Sequence, residues 1–289
     1  AVYAGLGFPS LHFEVVRKAR KLMEKDGNIG NLDRTSRMVQ EIYQQVHGRM
    51  INDKLRYLLG FDRDEMNRKK FTYEGQEYKI NQEAVLKEAK SILKYQQKAD
   101  AFRRIFNNEG LVMGYDKANG IRAYHIDHEG RGLDFAYPFD AIGPGKEVGT
   151  KIFAEINSLM QLEERRKGFD FREGLFLLLN AFVESYNYNS KAGGYLHLFL
   201  IDGKKEVIKE MTREIVDHNS YLAAEVIQAY RLGYIGRDKA MDFVNALIID
   251  KNDWQEVEAE LFKASKNEAK LKKHLMGYRP FDAPSAPLA

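Results

Sequence analysis

Chemistry in this chain must come from a short list of side chains, because it contains no cysteine. Disulfides, thiolate metal sites and cysteine nucleophiles are thereby excluded. His125, Asp127 and His128 form a compact set with metal-like spacing. On a strand His125 and Asp127 share a face, while His128 turns away into the following turn, so no third ligand can be named. Ordinary strand-end polarity is the expectation, and no metal or other cofactor is assigned. The segment GPGKEVGTK at 143–151 holds Gly, Lys and Thr in the wrong order for a phosphate-binding loop. At 185–194 the run SYNYNSKAGG ends in Gly193-Gly194 and leads into YLHLFLID. Two adjacent glycines supply positive φ and close backbone approach where a helix hands over to a strand. The tyrosines of that run either face a partner or form the polar end of a buried helix.

The elements that must position these residues can be read from periodicity. Residues 1–8 are apolar and glycine-rich, as in a buried strand. Pro9 and Ser10 open a helix with Leu11, Val15, Ala19, Leu22 and Met23 on one face. A second helix begins near Asp33 on a Met38, Ile42, Tyr43, Val46 stripe. FTYEGQEYKI at 71–80 reads as a hairpin about Glu74-Gly75, and Asn81 caps a helix running through Phe102. The spans Met113 to Asp116, Ile121 to Asp127 and Leu133 to Ala141 form a strand meander with turns at Gly120 and Gly130. Helices are expected at 147–162 and 171–186, the second apolar over much of its circumference. A strand at 195–201 turns at Gly203 into Val207 and Ile208. Three further helices are expected at 221–232, 238–249 and 254–275, before a PFDAPSAPLA tail.

The 289 residues carry 44% hydrophobic and 12% aromatic side chains, ample for a folded core. Their net charge of +3 arises from 45 basic and 42 acidic residues, finely mixed. That balance argues against a nucleic-acid partner, including for the Lys-rich run at 264–274. No apolar run is long enough to span a bilayer, and no basic-then-apolar leader opens the chain, so a cytoplasmic protein without a membrane partner is expected.

Three segments, in order, resemble the proteasome family. They are AVYAGLGF at 1–8, LVMGYDKANGIRAYHIDHEGRGLDFAYPFDAIGPG at 111–145, and the SYNYNSKAGG junction. The resemblance implies an α+β fold, the four-layer αββα sandwich of N-terminal nucleophile hydrolases. It would occupy residues 1–210, and residues 211–289 would be a C-terminal helical extension. Residues 50 to about 106 read either as an insertion into that domain or as a longer helical layer.

By the same resemblance, Gly5 matches the glycine whose amide contributes to an oxyanion hole, and Tyr3 and Gly7 line the first specificity pocket. The other reading of Gly5 is that it lets a helix pack closely on a strand. The family's auxiliary hydroxyl and carboxylate positions are occupied here by Lys146, Asn189 and Ala192, with Ser190, Gly193 and Gly194 retained. Lysine, an amide and a methyl group cannot replace those groups. Ala1 carries no nucleophile, and because a translated chain starts with Met, an upstream segment is expected. The implied function is that of a proteasome-like subunit from the threonine-endopeptidase lineage, in a ring or other homo-oligomer or with related subunits. It would hydrolyse peptide or protein substrates if the upstream segment supplies a nucleophile, and otherwise be non-catalytic. The alternative is a non-enzymatic adaptor that binds a protein through its helical insertion and extension.

Overall fold

The computed structural model describes residues 1–26, 31–93, 108–127, 130, 132–136, 140–143, 145–159, 170–188, 197–212 and 217–276. These form two compact units, Ala1–Gly143 with Gly203–Glu206, and Pro144–Asp202 with Val207–Ala289. Among the described residues no helix is long and apolar enough to cross a membrane.

The first unit is built on a four-stranded sheet ordered β1-β4-β5-β6, from β1 (Val2–Leu6), β4 (Glu109–Asp116), β5 (Gly120–Ile126) and β6 (Leu133–Ala136). All its pairings are antiparallel. Of the strand expected through Ala141, Leu133–Ala136 is formed, and residues 137–139 lie outside the described residues. Because side chains alternate along each strand, Val112, Tyr124 and Ile126 fall on one face. They pack there against Leu11, Val15 and Ala19 of α1 (Pro9–Asp26) and Val39, Ile42, Tyr43 and Val46 of α2 (Leu32–Leu59). Burying each of the larger aliphatic chains contributes about 1.5–3 kcal/mol. Registers place Val2, Ala4, Leu111, Met113 and Ala123 on the opposite face, which is therefore apolar as well.

The helix α2 is longer than its sequence stripe suggested. Asn31 caps its start by accepting from the Arg34 amide at 3.0 Å, and Gly60, at φ 79°, ends it. No breaker interrupts Met50 to Leu59, and buried Ile51 and Leu55 prolong the apolar face. After Gly60 comes a small core of Phe61, Met66, Ile80 and Ala89, shared by α3 (Arg63–Arg68), β2 (Lys70–Tyr73), β3 (Gln76–Lys79) and α4 (Glu83–Leu93). The two-residue turn has positive φ at both Glu74 and Gly75, the geometry that a tight hairpin requires. The Leu86 amide bonds to the Gln82 carbonyl, so the cap position of α4 is Gln82, one residue after the expected Asn81.

The second unit comprises α5 (Lys146–Leu159), α6 (Phe171–Tyr188), the ribbon β7 (Phe199–Asp202) and β8 (Val207–Glu210), α7 (His218–Arg231), α8 (Arg237–Ile248), α9 (Trp254–Ala264) and α10 (Glu268–Met276). The apolar α6 is covered largely from within the chain. Phe176 meets Tyr230 of α7 edge-on at 5.3 Å, and Arg237 of α8 bonds Glu173 at 2.6 Å. Only part of its surplus, including Phe171 and Leu178, remains exposed. The single helix expected at 254–275 is instead broken. The Ser265 hydroxyl donates to the Phe262 carbonyl, and Asn267 caps α10 through the Lys270 amide at 3.0 Å.

Two glycine substitutions should separate packing from propensity. A Cβ on Gly5 would lie 2.2 Å from His12 Nδ1, whereas one on Gly48 in α2 would meet nothing within 4 Å. In denaturant titrations Gly5→Ala should cost about 1–3 kcal/mol, and Gly48→Ala should gain about 0.5–1 kcal/mol.

Candidate functional site

Three constellations in the first unit combine polar chemistry with defined geometry. The first surrounds Gly5. With no side chain on Gly5, the imidazole of His12 lies directly against β1. Its Nε2 is 2.7 Å from the Leu6 carbonyl and its Nδ1 is 2.7 Å from the Tyr3 hydroxyl. A carbonyl can only accept, so Nε2 carries the proton and Nδ1 accepts from Tyr3. Burial lowers the pKa of His12, opposed by the bond to Leu6, and burial pushes the Tyr3 phenol far above its usual value. Both groups are thus neutral. Gly7, at φ 114°, then turns the chain, and the Phe8 amide donates at 2.6 Å to the fully buried Asn108.

Tyr3, Gly5 and Gly7, the expected pocket and oxyanion positions, are therefore neighbours on this turn, with the Tyr3 hydroxyl engaged by α1. The close-packing reading of Gly5 has its partner in His12. Sequence reasoning passed over His12, although its place one turn into a helix that follows a glycine-rich strand was the available signal.

The second constellation lies on the other face of the sheet. His125 Nδ1 is 2.9 Å from Asp140 Oδ2, and its Nε2 is 3.6 Å from Glu109 Oε2. The two carboxylates address different nitrogens of one ring, so a single cation cannot meet all three groups. The ring stands between the two carboxylates, close to Asp140 and farther from Glu109. Asp127 is used elsewhere, accepting from the Gly132 amide at 2.8 Å, and His128 lies outside the described residues. Among the described residues no three His, Asp or Glu side chains converge as metal ligands. Glu109 and Asp140 had no local signal, since only the sheet brings them to His125.

The third constellation joins the β4–β5 turn to the start of α2. Asp116 is buried and accepts from the Asn119 amide at 2.6 Å. Burial acts to raise its pKa, but bonds from Asn119 and from the Leu32 and Ala118 amides outweigh it and hold the carboxyl below the usual range. Beside it the Tyr124 hydroxyl donates to Asp33, and Arg122 reaches Asp33 at 3.5 Å and Asn119 at 2.9 Å. An open groove of about 600 Å³ adjoins, where Asp33, Arg34, Arg37 and Glu41 mix both signs of charge beside Leu22 and Met38.

In the second unit, Gly145 approaches α6 so closely that a Cβ would lie 2.6 Å from that of Ser185. The Ser185 hydroxyl donates to the Ala181 carbonyl at 2.7 Å, and Lys146 begins α5. Asn189, Ser190, Ala192, Gly193 and Gly194 lie outside the described residues.

The Asp116 carboxylate gives a signed pH prediction. Its folded pKa is lowered from 3.8, so its stabilisation is present above that value and is lost as pH falls through the folded pKa. Denaturant midpoints between neutral and acid pH should fall less steeply in Asp116→Asn, which should already be less stable at neutral pH.

No protein-family model matches the sequence, and no curated protein matches it. Among solved structures, the chain is similar to the Anbu (Gly-1) mutant from Hyphomicrobium sp. strain MC1. That likeness covers 81% of this chain and 79% of the other at 15% identity, with a TM-score of 0.44, and is too slight to carry an argument.

Proposed function

We propose that the chain is a proteasome-like subunit of the threonine-endopeptidase lineage, cytoplasmic and assembling with copies of itself or related subunits, in which these residues bind and build and do not cleave. The observation that carries this reading is the β1-β4-β5-β6 sheet, apolar on both faces, with α1 and α2 covering one of them. A second apolar face calls for a second layer. The proposed architecture is the four-layer sandwich; taken by itself, the β7–β8 ribbon carries Phe199, Ile201 and Ile208 on one side. The residues in the family's auxiliary positions, Lys146, Asn189 and Ala192, supply neither carboxylate nor hydroxyl. Gly5 and Tyr3 then serve peptide recognition at the β1–α1 turn. An upstream threonine, serine or cysteine at a mature N-terminus would add amide hydrolysis through an acyl-enzyme on the same scaffold.

The adaptor reading draws on one observation. The core around Phe61 and Ala89 is separate from the main sheet core, and its hairpin leaves Tyr73 and Tyr78 exposed. That arrangement suits a protein-binding appendage on the same subunit.

Purified chain should turn over no fluorogenic peptide and should scatter light as an assembly larger than one chain. Turnover blocked by threonine-directed covalent inhibitors would overturn the non-catalytic assignment. A strictly monomeric chain at micromolar concentration would overturn the assembly.

A further inference from the structure

We propose that His12 is a pH-operated latch on the β1–α1 turn. When neutral, its ring rests on Gly5 and ties the Leu6 carbonyl to the Tyr3 hydroxyl; when protonated, it leaves that seat and releases residues 5–8. This inference does not rest on the proteasome-like reading.

The geometry leaves an imidazolium poorly served. Nδ1 is an acceptor in the closed arrangement, filled by the Tyr3 O–H at 2.7 Å. A proton on Nδ1 would confront that hydroxyl hydrogen and force it to turn away from its acceptor. The facing groups offer no compensating charge. From β1 the titratable neighbour is Tyr3; from α2 it is Tyr43, whose ring lies 6.2 Å away, with His47 a further 5.9 Å beyond. Beside the turn stands Asn108, an amide. Glu109, across from Leu6 in the register, belongs to the His125 cluster on the other sheet face. On α1 itself, Glu14 is engaged by Lys18 and Arg49.

Swinging outward gives the charged ring water in place of two neutral partners. The consequence for the turn is direct, because Leu6 would lose the bond that fixes its carbonyl just before Gly7. The sign follows from burial. The closed-state pKa lies below the ordinary 6.5, so the open state binds the proton more readily. The latch is closed above that value and opens as pH falls through the closed-state pKa.

The test is amide hydrogen exchange by NMR on the full chain, expressed as protection relative to intrinsic rates, at Phe8, whose amide donates to Asn108 across the turn. Between about pH 7.5 and about pH 5, protection should fall by about tenfold or more in the native chain. In His12→Gln it should stay level, because an amide can still donate to Leu6 and accept from Tyr3 without titrating. Unchanged protection in the native chain, or an equal fall in His12→Gln, would overturn the proposal. Tyr3→Phe gives an independent check if the glutamine variant does not fold. Removing the opposing hydroxyl takes away the clash that expels the imidazolium, so the fall in protection with pH should shrink, and an undiminished fall contradicts the latch.

Discussion

A sheet that is apolar on both sides must be covered twice, and this constraint organises the first unit. One cover is explicit. Helices α1 and α2 bury Val112, Tyr124 and Ile126, and α1 lies close enough to β1 that the His12 ring occupies the space of a missing Gly5 side chain. Any larger residue at Gly5 would push out a ring that is anchored at both nitrogens, and would disturb the adjoining turn at Gly7.

Polar groups fix how that helical layer meets the sheet. Hydrophobic burial is not directional, so it cannot by itself choose where α2 begins. Asn31 and Asp116 make that choice, the first capping α2 locally and the second receiving the Leu32 amide from the β4–β5 turn. Asp33, Arg122 and Tyr124 extend the same junction. On the other face, His125 between Glu109 and Asp140 sets polar groups among apolar residues. Half-buried polar groups cost desolvation, and removing one member leaves the others with fewer partners.

Much of this was legible where local chemistry decides the outcome. The Glu74-Gly75 hairpin, the Gly120 turn and the start of α2 all rest on residues whose backbone preferences are strong. The errors arose where no local rule applied. Helix α2 ran past Met50 because nothing stopped it before Gly60, and the break at 265–267 hid within a continuous charged pattern although Asn267 was an available cap. His12, Glu109 and Asp140 acquire their roles only through the sheet. The partners of α6 were likewise out of reach of local rules, because the Phe176–Tyr230 contact joins residues more than fifty apart in the chain.

The central claim is that the sheet of the first unit is apolar on both faces and covered on both. Because the chain has no cysteine of its own, Met113→Cys would place the only thiol on the face turned away from α1 and α2. The account predicts that this thiol reacts slowly with a monofunctional reagent in the folded protein and rapidly once the chain is unfolded in denaturant. Reaction in the folded protein at the rate of the unfolded chain would contradict it.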